Sequence, residues 1–102
     1  MSLDNAALEK DIQAKGLNAP RLTPELVEAQ MPSETYTVLP SGKVLVCELL
    51  LRNGFSVRGE ASVVSKENFD EEIGRKVSRA KAVQEIWQIE GYLLQEKLSP
   101  RS

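Results

Sequence analysis

The fold of this chain is decided by residues 43–64, which read KVLVCELLLRNGFSVRGEASVV. Asn53-Gly54 is the strongest short hairpin signal in the sequence, because a two-residue type I′ turn needs positive φ at both central positions. The run before this pair is apolar at nearly every position, whereas the run after it alternates apolar and polar residues. A strand that is apolar on both faces belongs in the middle of a sheet, and an alternating strand belongs nearer its edge. The pattern therefore predicts two antiparallel strands, 43–52 and 55–64.

A two-residue loop also fixes the register of the two strands. It places Arg52 opposite Phe55, Leu50 opposite Val57, and Val46 opposite Ala61. One face of the predicted hairpin then carries Val44, Val46, Leu50, Phe55, Val57, Ala61 and Val63. The other face sets Leu45, Cys47, Leu49 and Leu51 against Ser56, Arg58, Glu60 and Ser62. A further strand, 35–39, is expected to join this hairpin through a turn at Pro40-Ser41-Gly42.

Residues 1–33 are expected to be a helical N-terminal segment. A first helix would begin at Asp4 and end at Gly16. A second helix has Thr23 as its N-cap and Pro24 at its first position, and it would end at Pro32. The apolar stripes of this segment are thin, so packing as a cover and a partly mobile arm both stay open for residues 1–20, while packing is favoured for 22–31.

The C-terminal part, residues 66–98, is predicted to be one long helix. Its apolar residues recur at a mean spacing of about 3.6 from Phe69 onward, which favours a straight helix on a sheet over a left-handed coiled coil. Ser65 is the expected N-cap, and Gly91 is the most favoured place for a kink or break. The predicted fold class is a single α+β domain over residues 1–102, with a small antiparallel sheet (34–64) packed on this helix.

The composition excludes several kinds of site. The 102 residues carry 13 Lys and Arg against 15 Asp and Glu, so the net charge is -2, which excludes a generally basic nucleic-acid coat. The chain has no histidine and one cysteine, which excludes Ser-His and Cys-His pairs, an intramolecular disulfide and a multi-cysteine zinc site. We therefore expect no catalytic residue, no metal and no cofactor. The first residues lack the pattern of a signal peptide. The longest uninterrupted run of aliphatic residues and cysteine, 44–47, is too short for a membrane span, so a cytoplasmic location is expected.

Three groups of residues are candidates for chemical sites. Glu48 and Glu60 are predicted on opposite faces of the sheet, where they cannot act as an acid–base pair; Glu48 would instead pair with Arg75 or Arg79, or lie near the rim of the sheet. Cys47 is expected to be a buried structural thiol with a raised pKa. The nucleic-acid candidates are Arg52, Arg58, Arg75, Lys76 and Arg79. Glutamates four residues away on the predicted helix favour a solvated face of ion pairs instead, namely Glu71–Arg75, Glu72–Lys76 and Lys81–Glu85.

Three stretches of the sequence resemble a known family. They are NGFSVRGEA at 53–61, NFDEEIGRK at 68–76 and IWQIEGY at 86–92. They are similar to small tailed-phage proteins known by the gene-product numbers gp-forty-nine and gp-sixty-six, which have no established activity, and the resemblance covers about residues 45–98. It implies a phage or prophage product in the bacterial cytoplasm and supplies no catalytic residue. Glu48 departs from the pattern, since similar proteins place an apolar residue there.

The last helix carries the expected interaction surface. Its apolar stripe widens beyond Ala82, and a helix that is apolar nearly all round must be buried on more than one side. A helix of about 48 Å would also overhang strands of about 26–34 Å, which would expose an apolar patch. The interface candidates are Ile86, Trp87, Ile89, Tyr92 and Leu93. A homodimer would bury Ile89, Tyr92 and Leu93, unless the helix breaks at Gly91 and folds back or residues 22–31 cover the patch.

These expectations favour a non-enzymatic phage accessory protein that binds another protein, either a second copy or an unidentified phage or host protein. A nucleic-acid-associated phage factor is the alternative, and a small enzyme is the third reading. No membrane partner is expected.

Overall fold

The structure, a computed structural model, describes residues 7, 8, 10, 20–31 and 33–100. In chain order its elements are helix α1 (Pro24–Glu28), strands β1 (Ser33–Val38), β2 (Val44–Leu50) and β3 (Ser56–Ser62), and helix α2 (Glu71–Leu98). The strands form one antiparallel sheet in the order β1-β2-β3, which places β2 in the centre as its two-sided apolar pattern predicted. Helix α2 lies over β2 and β3, so the predicted α+β fold is confirmed. Apart from residues 7, 8 and 10, the first predicted helix, from Asp4 to Gly16, lies outside the described residues.

The hairpin turn contains one residue more than predicted. The Leu51 N–H donates to the Phe55 carbonyl at 2.7 Å, and the Gly54 N–H donates to the Leu51 carbonyl at 3.0 Å. Gly54 has a φ of 92°, but Asn53 is not in the positive-φ region that a type I′ turn requires. The Asn53 side-chain oxygen instead accepts from the Phe55 N–H at 3.0 Å. The connection is therefore a three-residue loop, with a left-handed glycine at its end.

The extra loop residue reverses the two faces of β3, because side chains alternate along a strand. Leu49 pairs with Val57 and Leu45 with Ala61, so the predicted partners of Val57 and Ala61 were wrong, as was the pairing of Arg52 with Phe55. The buried face holds Leu45, Cys47, Leu49, Leu51, Val57, Gly59 and Ala61. The opposite face holds Val44, Val46, Glu48 and Leu50 beside Ser56, Arg58, Glu60 and Ser62.

Helix α2 begins later than predicted and is not interrupted. Ser65 makes no capping bond to the backbone and is followed by a short 3-10 turn, Lys66–Asn68. The N-cap is Asp70, whose Oδ1 accepts from the Ile73 N–H at 3.0 Å. The helix then continues through Gly91, so the alternative in which it breaks there and folds back is wrong.

Small residues allow α2 to approach the sheet closely. Its buried positions follow one another at intervals of four and are Gly74, Ser78, Ala82 and Ile86. The stripe predicted from Ile73 and Val77 is offset by one residue, and both of these side chains are exposed. On the sheet, Gly59 lies directly beneath the helix: a Cβ atom there would come 2.2 Å from the carbonyl oxygen of Ser78 and 2.5 Å from the nitrogen of Ala82. Glycine is required at this position because the helix backbone occupies the place of a side chain.

The segment before β1 covers one flank of α2. Thr23 caps α1 as predicted, accepting from the Leu26 N–H at 3.2 Å. Val27 is buried in the core, where Met31 and Trp87 pack against the same cluster. This packing agrees with the expectation for residues 22–31.

Candidate interaction surface

The far end of α2 presents apolar side chains to solvent. A helix of 28 residues is about 42 Å long, whereas strands of seven residues span about 23 Å, so the helix extends beyond the sheet. Ile89, Tyr92 and Leu93 are exposed by 37%, 72% and 43%. Their spacing of three and four residues makes Ile89 a neighbour of the other two on one flank of the helix. Three of the five predicted interface residues therefore lie on a common exposed surface, which we call the apolar flank.

The other two predicted interface residues pack inside the protein. Ile86 is fully buried and belongs to the core formed with Leu49 and Val57. Trp87 is half-buried and packs against the same core. Assigning Ile86 to the interface was wrong, because the stripe that meets the sheet is offset by one residue from the one that the sequence pattern suggested.

A groove runs between β3 and the apolar flank. Phe55, which is 57% exposed, and Ile89 both line it. Arg58 and Glu60 contribute to its strand side, and Lys81, Gln84, Glu85 and Gln88 to its helix side; the groove is open to solvent and has a volume of about 920 Å³. The groove combines two exposed apolar side chains with charges of both signs.

The main chain of β3 also faces this groove. Hydrogen bonds join Leu51 to Phe55 and Val63 to Lys43. With the register of the two strands, they show that the odd-numbered residues of β3 are those whose main chain bonds to β2. In an antiparallel ladder the intervening residues point their N–H and C=O groups the other way. Since β3 is an edge strand, the main-chain groups of Arg58 and Glu60 face outward.

A polar cluster lies on the other side of the molecule and joins β1 to both helices. The Tyr36 hydroxyl donates to Glu34 Oε2 at 2.6 Å, and Arg79 Nε donates to Glu34 Oε1 at 3.0 Å. Arg79 also reaches Glu28 on α1 at 3.4 Å. The guanidinium of Arg75 lies over the Tyr36 ring, 4.7 Å from its centre, within the range of a cation–π interaction.

The pKa shifts in this cluster follow from its hydrogen bonds and its burial. The bond from Tyr36, together with that from Arg79, holds the pKa of Glu34 below its ordinary value. Burial, together with the bond to Glu34, raises the pKa of Tyr36. Burial also raises the pKa of Cys47, which is fully buried in the core, as predicted for a structural thiol. Because the carboxylate already accepts from two donors, the cluster is suited to holding β1 against the helices rather than to proton transfer.

The five nucleic-acid candidates do not form one surface. Arg75 pairs with Glu71 at 3.0 Å and Lys76 with Glu72 at 3.7 Å, as the four-residue spacing predicted, and Arg79 is bound in the polar cluster. Arg52 lies in the hairpin loop and Arg58 on β3. Among the described residues, the third expected ion pair, Lys81–Glu85, is not within bonding distance.

Glu48 and Glu60 lie on the same face of the sheet, contrary to the prediction. Glu48 is opposite Arg58, and Glu60 is opposite Val46, on the face away from α2. The expected pairing of Glu48 with Arg75 or Arg79 is therefore wrong. The one-residue shift of β3 explains the position of Glu60, because it moved this side chain to the outer face of the sheet. Glu48 cannot reach Arg75 or Arg79 because α2 covers the opposite face of the sheet.

The described helices include none with the length and hydrophobicity that a membrane span requires.

A protein-family model described as the phage protein (N4 Gp49/phage Sf6 gene 66) family matches residues 22–98. The match covers about three quarters of the chain and extends the resemblance seen over residues 45–98 to include α1 and β1. Neither the curated proteins nor the solved structures contain a significant match.

Proposed function

The chain belongs to the phage protein (N4 Gp49/phage Sf6 gene 66) family, and we propose that it acts without catalysis, by binding another protein through the apolar flank. The observation that carries the proposal is the exposure of Ile89, Tyr92 and Leu93 on one side of a helix that extends beyond its sheet. Contiguous exposed apolar surface is a feature of interaction sites. Tyrosine is enriched at such sites because its ring buries apolar area while its hydroxyl remains hydrated.

The polar cluster supports a binding role over an enzymatic one. Its tyrosine, carboxylate and guanidinium groups are bonded to one another, and the groups of an enzyme site should instead converge on a space that a substrate can occupy. The groove has such a space, but it is lined by charged residues, glutamines, a serine, a glycine and three apolar residues, a set suited to recognising a polypeptide.

The arrangement of the basic residues makes the nucleic-acid alternative less favourable. Phosphate binding needs a contiguous basic surface, but Arg75 and Lys76 are neutralised by glutamates on the same helix. Binding to nucleic acid would weaken steeply as salt is added, whereas binding through the apolar flank should change little.

A second copy of the chain is one partner that fits this flank. A two-fold axis near Tyr92 and Leu93 would bury the same residues from both copies, and two-fold dimers are the commonest oligomers of soluble proteins. A phage or host protein in the bacterial cytoplasm is the other partner that the proposal allows.

The test is affinity purification of the tagged full-length protein from phage-infected bacteria, followed by mass spectrometry. Tyr92→Glu places a charge on the apolar flank, and Ile73→Glu is the matched control, since Ile73 is also an exposed apolar residue of α2. Wild type and Ile73→Glu should retain the same protein, and Tyr92→Glu should retain about tenfold less, as expected when a charge enters an apolar contact. Equal retention by Tyr92→Glu and Ile73→Glu would contradict the proposal.

A further inference from the structure

No strand among residues 20–31 and 33–100 pairs with the outer edge of β3, and this edge offers a second element of recognition. We propose that β3 binds an extended peptide segment of the partner as a fourth, antiparallel strand of the sheet. This inference rests on the proposed binding function and adds the mode of binding and the chemistry of the ligand. Main-chain hydrogen bonds to a sheet edge provide affinity in this kind of recognition, and side-chain positions on alternate faces provide specificity.

The edge has the main-chain groups that a fourth strand needs. The N–H and C=O groups of Arg58 and Glu60 point away from β2, as the register of the hairpin requires. They open into the groove beside α2. An antiparallel strand opposite Arg58 and Glu60 would use these groups in two closely spaced pairs of hydrogen bonds.

The side chains at the groove determine the residues of the ligand. Opposite Val57, the ligand side chain enters the space between Phe55 and Ile89, so an aliphatic or aromatic residue fits there. On the outer face, an acidic residue is favoured opposite Arg58 and a basic one opposite Glu60, since opposite charges directly across two strands stabilise a sheet. Read in the antiparallel direction, the ligand has the order basic, any, acidic, apolar.

A second copy of β3 does not fit this edge. A two-fold pairing that sets Arg58 against the Glu60 of the other copy is centred on Gly59, and α2 lies directly above Gly59. Neighbouring strands are about 4.8 Å apart, but packed helices need about 8–10 Å between their axes. The two helices would overlap, so the occupant is a strand without a covering helix, namely an extended segment of another protein.

The experiment starts by selecting ligands for the full-length protein from a display library of random peptides of about twelve residues. Amide hydrogen exchange is then followed residue by residue by NMR, with and without a selected peptide. The amides of Arg58 and Glu60 should exchange about tenfold more slowly with peptide bound. Those of Val57 and Gly59, which already bond to β2, should show no such slowing. N-methylation of the ligand amides that face β3 should weaken binding about tenfold, because it removes their hydrogen-bond donors. N-methylation of the alternate amides should not.

A charge exchange tests the specificity. In the double variant Arg58→Glu, Glu60→Arg, the basic and acidic positions of the selected peptides should change places. Arg52→Glu, an exposed change in the hairpin loop, should leave the selected order as it is. Peptides that bind without slowing exchange at Arg58 and Glu60, or a library that yields no binder, would overturn this inference. The proposed function would still stand if partner retention depends on Tyr92, and would fail separately if it does not.

Discussion

Replacing Gly59 by alanine tests whether the close approach of α2 to β3 determines the geometry of the fold. The added Cβ atom would lie 2.2 Å from the Ser78 carbonyl oxygen, 2.5 Å from the Ala82 nitrogen and 2.8 Å from the Lys81 Cβ. Two of these three atoms belong to the helix backbone, so a side-chain rotation cannot relieve the overlap. Restoring a contact of about 3.2 Å requires the helix to move by about 1 Å, taking the buried residues Ala82 and Ile86 with it.

The expected magnitude follows from two opposing effects. Overpacking a core costs about 1–3 kcal/mol and occasionally more, and this site belongs at the upper end because backbone must move. Replacing glycine in a regular element by alanine ordinarily stabilises it by about 0.5–1 kcal/mol. The net effect should be a loss of about 2 kcal/mol in the free energy of unfolding, which is a large fraction of the stability of a small domain.

Urea unfolding measures this loss, with the fluorescence of Trp87 as the probe, since it is the only tryptophan and packs against the core. A loss of about 2 kcal/mol should lower the midpoint by about 1–2 M. Gly74→Ala is the matched control, because its Cβ would lie 3.5 Å from Leu45, an ordinary contact, and helical alanine should raise the stability by up to about 1 kcal/mol. A midpoint for Gly59→Ala equal to or above that of the wild type would show that the contact with α2 does not require glycine at position 59.

Three other predictions concern the hairpin, the polar cluster and the oligomeric state. Gly54→Val should lower the free energy of unfolding by about 1–2 kcal/mol, because Gly54 has a φ of 92° that a β-branched residue adopts only under strain. Thermal unfolding measures this loss, and Ser56→Thr should change the melting temperature little. Equal melting temperatures for Gly54→Val and wild type would count against the turn. The hydrogen bonds that lower the pKa of Glu34 add under about 1 kcal/mol to the free energy of unfolding, because the pair with Arg79 is exposed. This stabilisation is present above the ordinary pKa of 4.5 and is lost as the pH falls through the lower pKa that Glu34 has in the folded protein. The difference in unfolding free energy between wild type and Glu34→Gln should therefore shrink on acidification, and a difference that grows would contradict this. Light scattering at micromolar concentration should give a mass of twice 11.3 kDa for the wild type and 11.3 kDa for Tyr92→Glu; a wild-type mass of 11.3 kDa would exclude the dimer.

The sequence was sufficient to predict the elements of the fold, but it did not predict how they face one another. The central position of β2 follows from its two-sided apolar pattern, and the cap at Thr23 from local chemistry. The Asn53-Gly54 pair correctly marked the hairpin, but two- and three-residue loops can share this signal. The side chain of Asn53 accepts from Phe55, a bond specific to the longer loop, and that one residue reversed every side chain of β3.

The offset stripe of α2 has a similar cause. The prediction followed the large apolar residues Ile73 and Val77, whereas the helix buries Gly74 and Ser78 because Gly59 lets the backbone come close. A glycine inside an alternating strand is itself a signal of close backbone approach, and Gly59 stands inside the alternating strand 55–64. The bonds from Arg79 to Glu34 and Glu28 join residues far apart in sequence, so no local pattern could indicate them.

The exposure of the apolar flank was predicted in part. Ile89, Tyr92 and Leu93 follow from the length and the apolar width of the helix, whereas Phe55 was predicted only as part of an apolar face of the hairpin, with Val57 and Ala61. Phe55 pairs with Leu51 at the end of the hairpin, on the same side of the sheet as Val57, and it is exposed there beside the groove.

Site-specific photocrosslinking in phage-infected bacteria shows whether the apolar flank contacts a protein. A photoreactive phenylalanine analogue is placed at Tyr92 in one variant and at Ile73 in another, since both side chains are exposed on α2. Irradiation should give a discrete protein adduct, with a second copy or with another protein, from position 92 and none from position 73. Adducts of equal yield from both positions, or no adduct from position 92, would contradict the account.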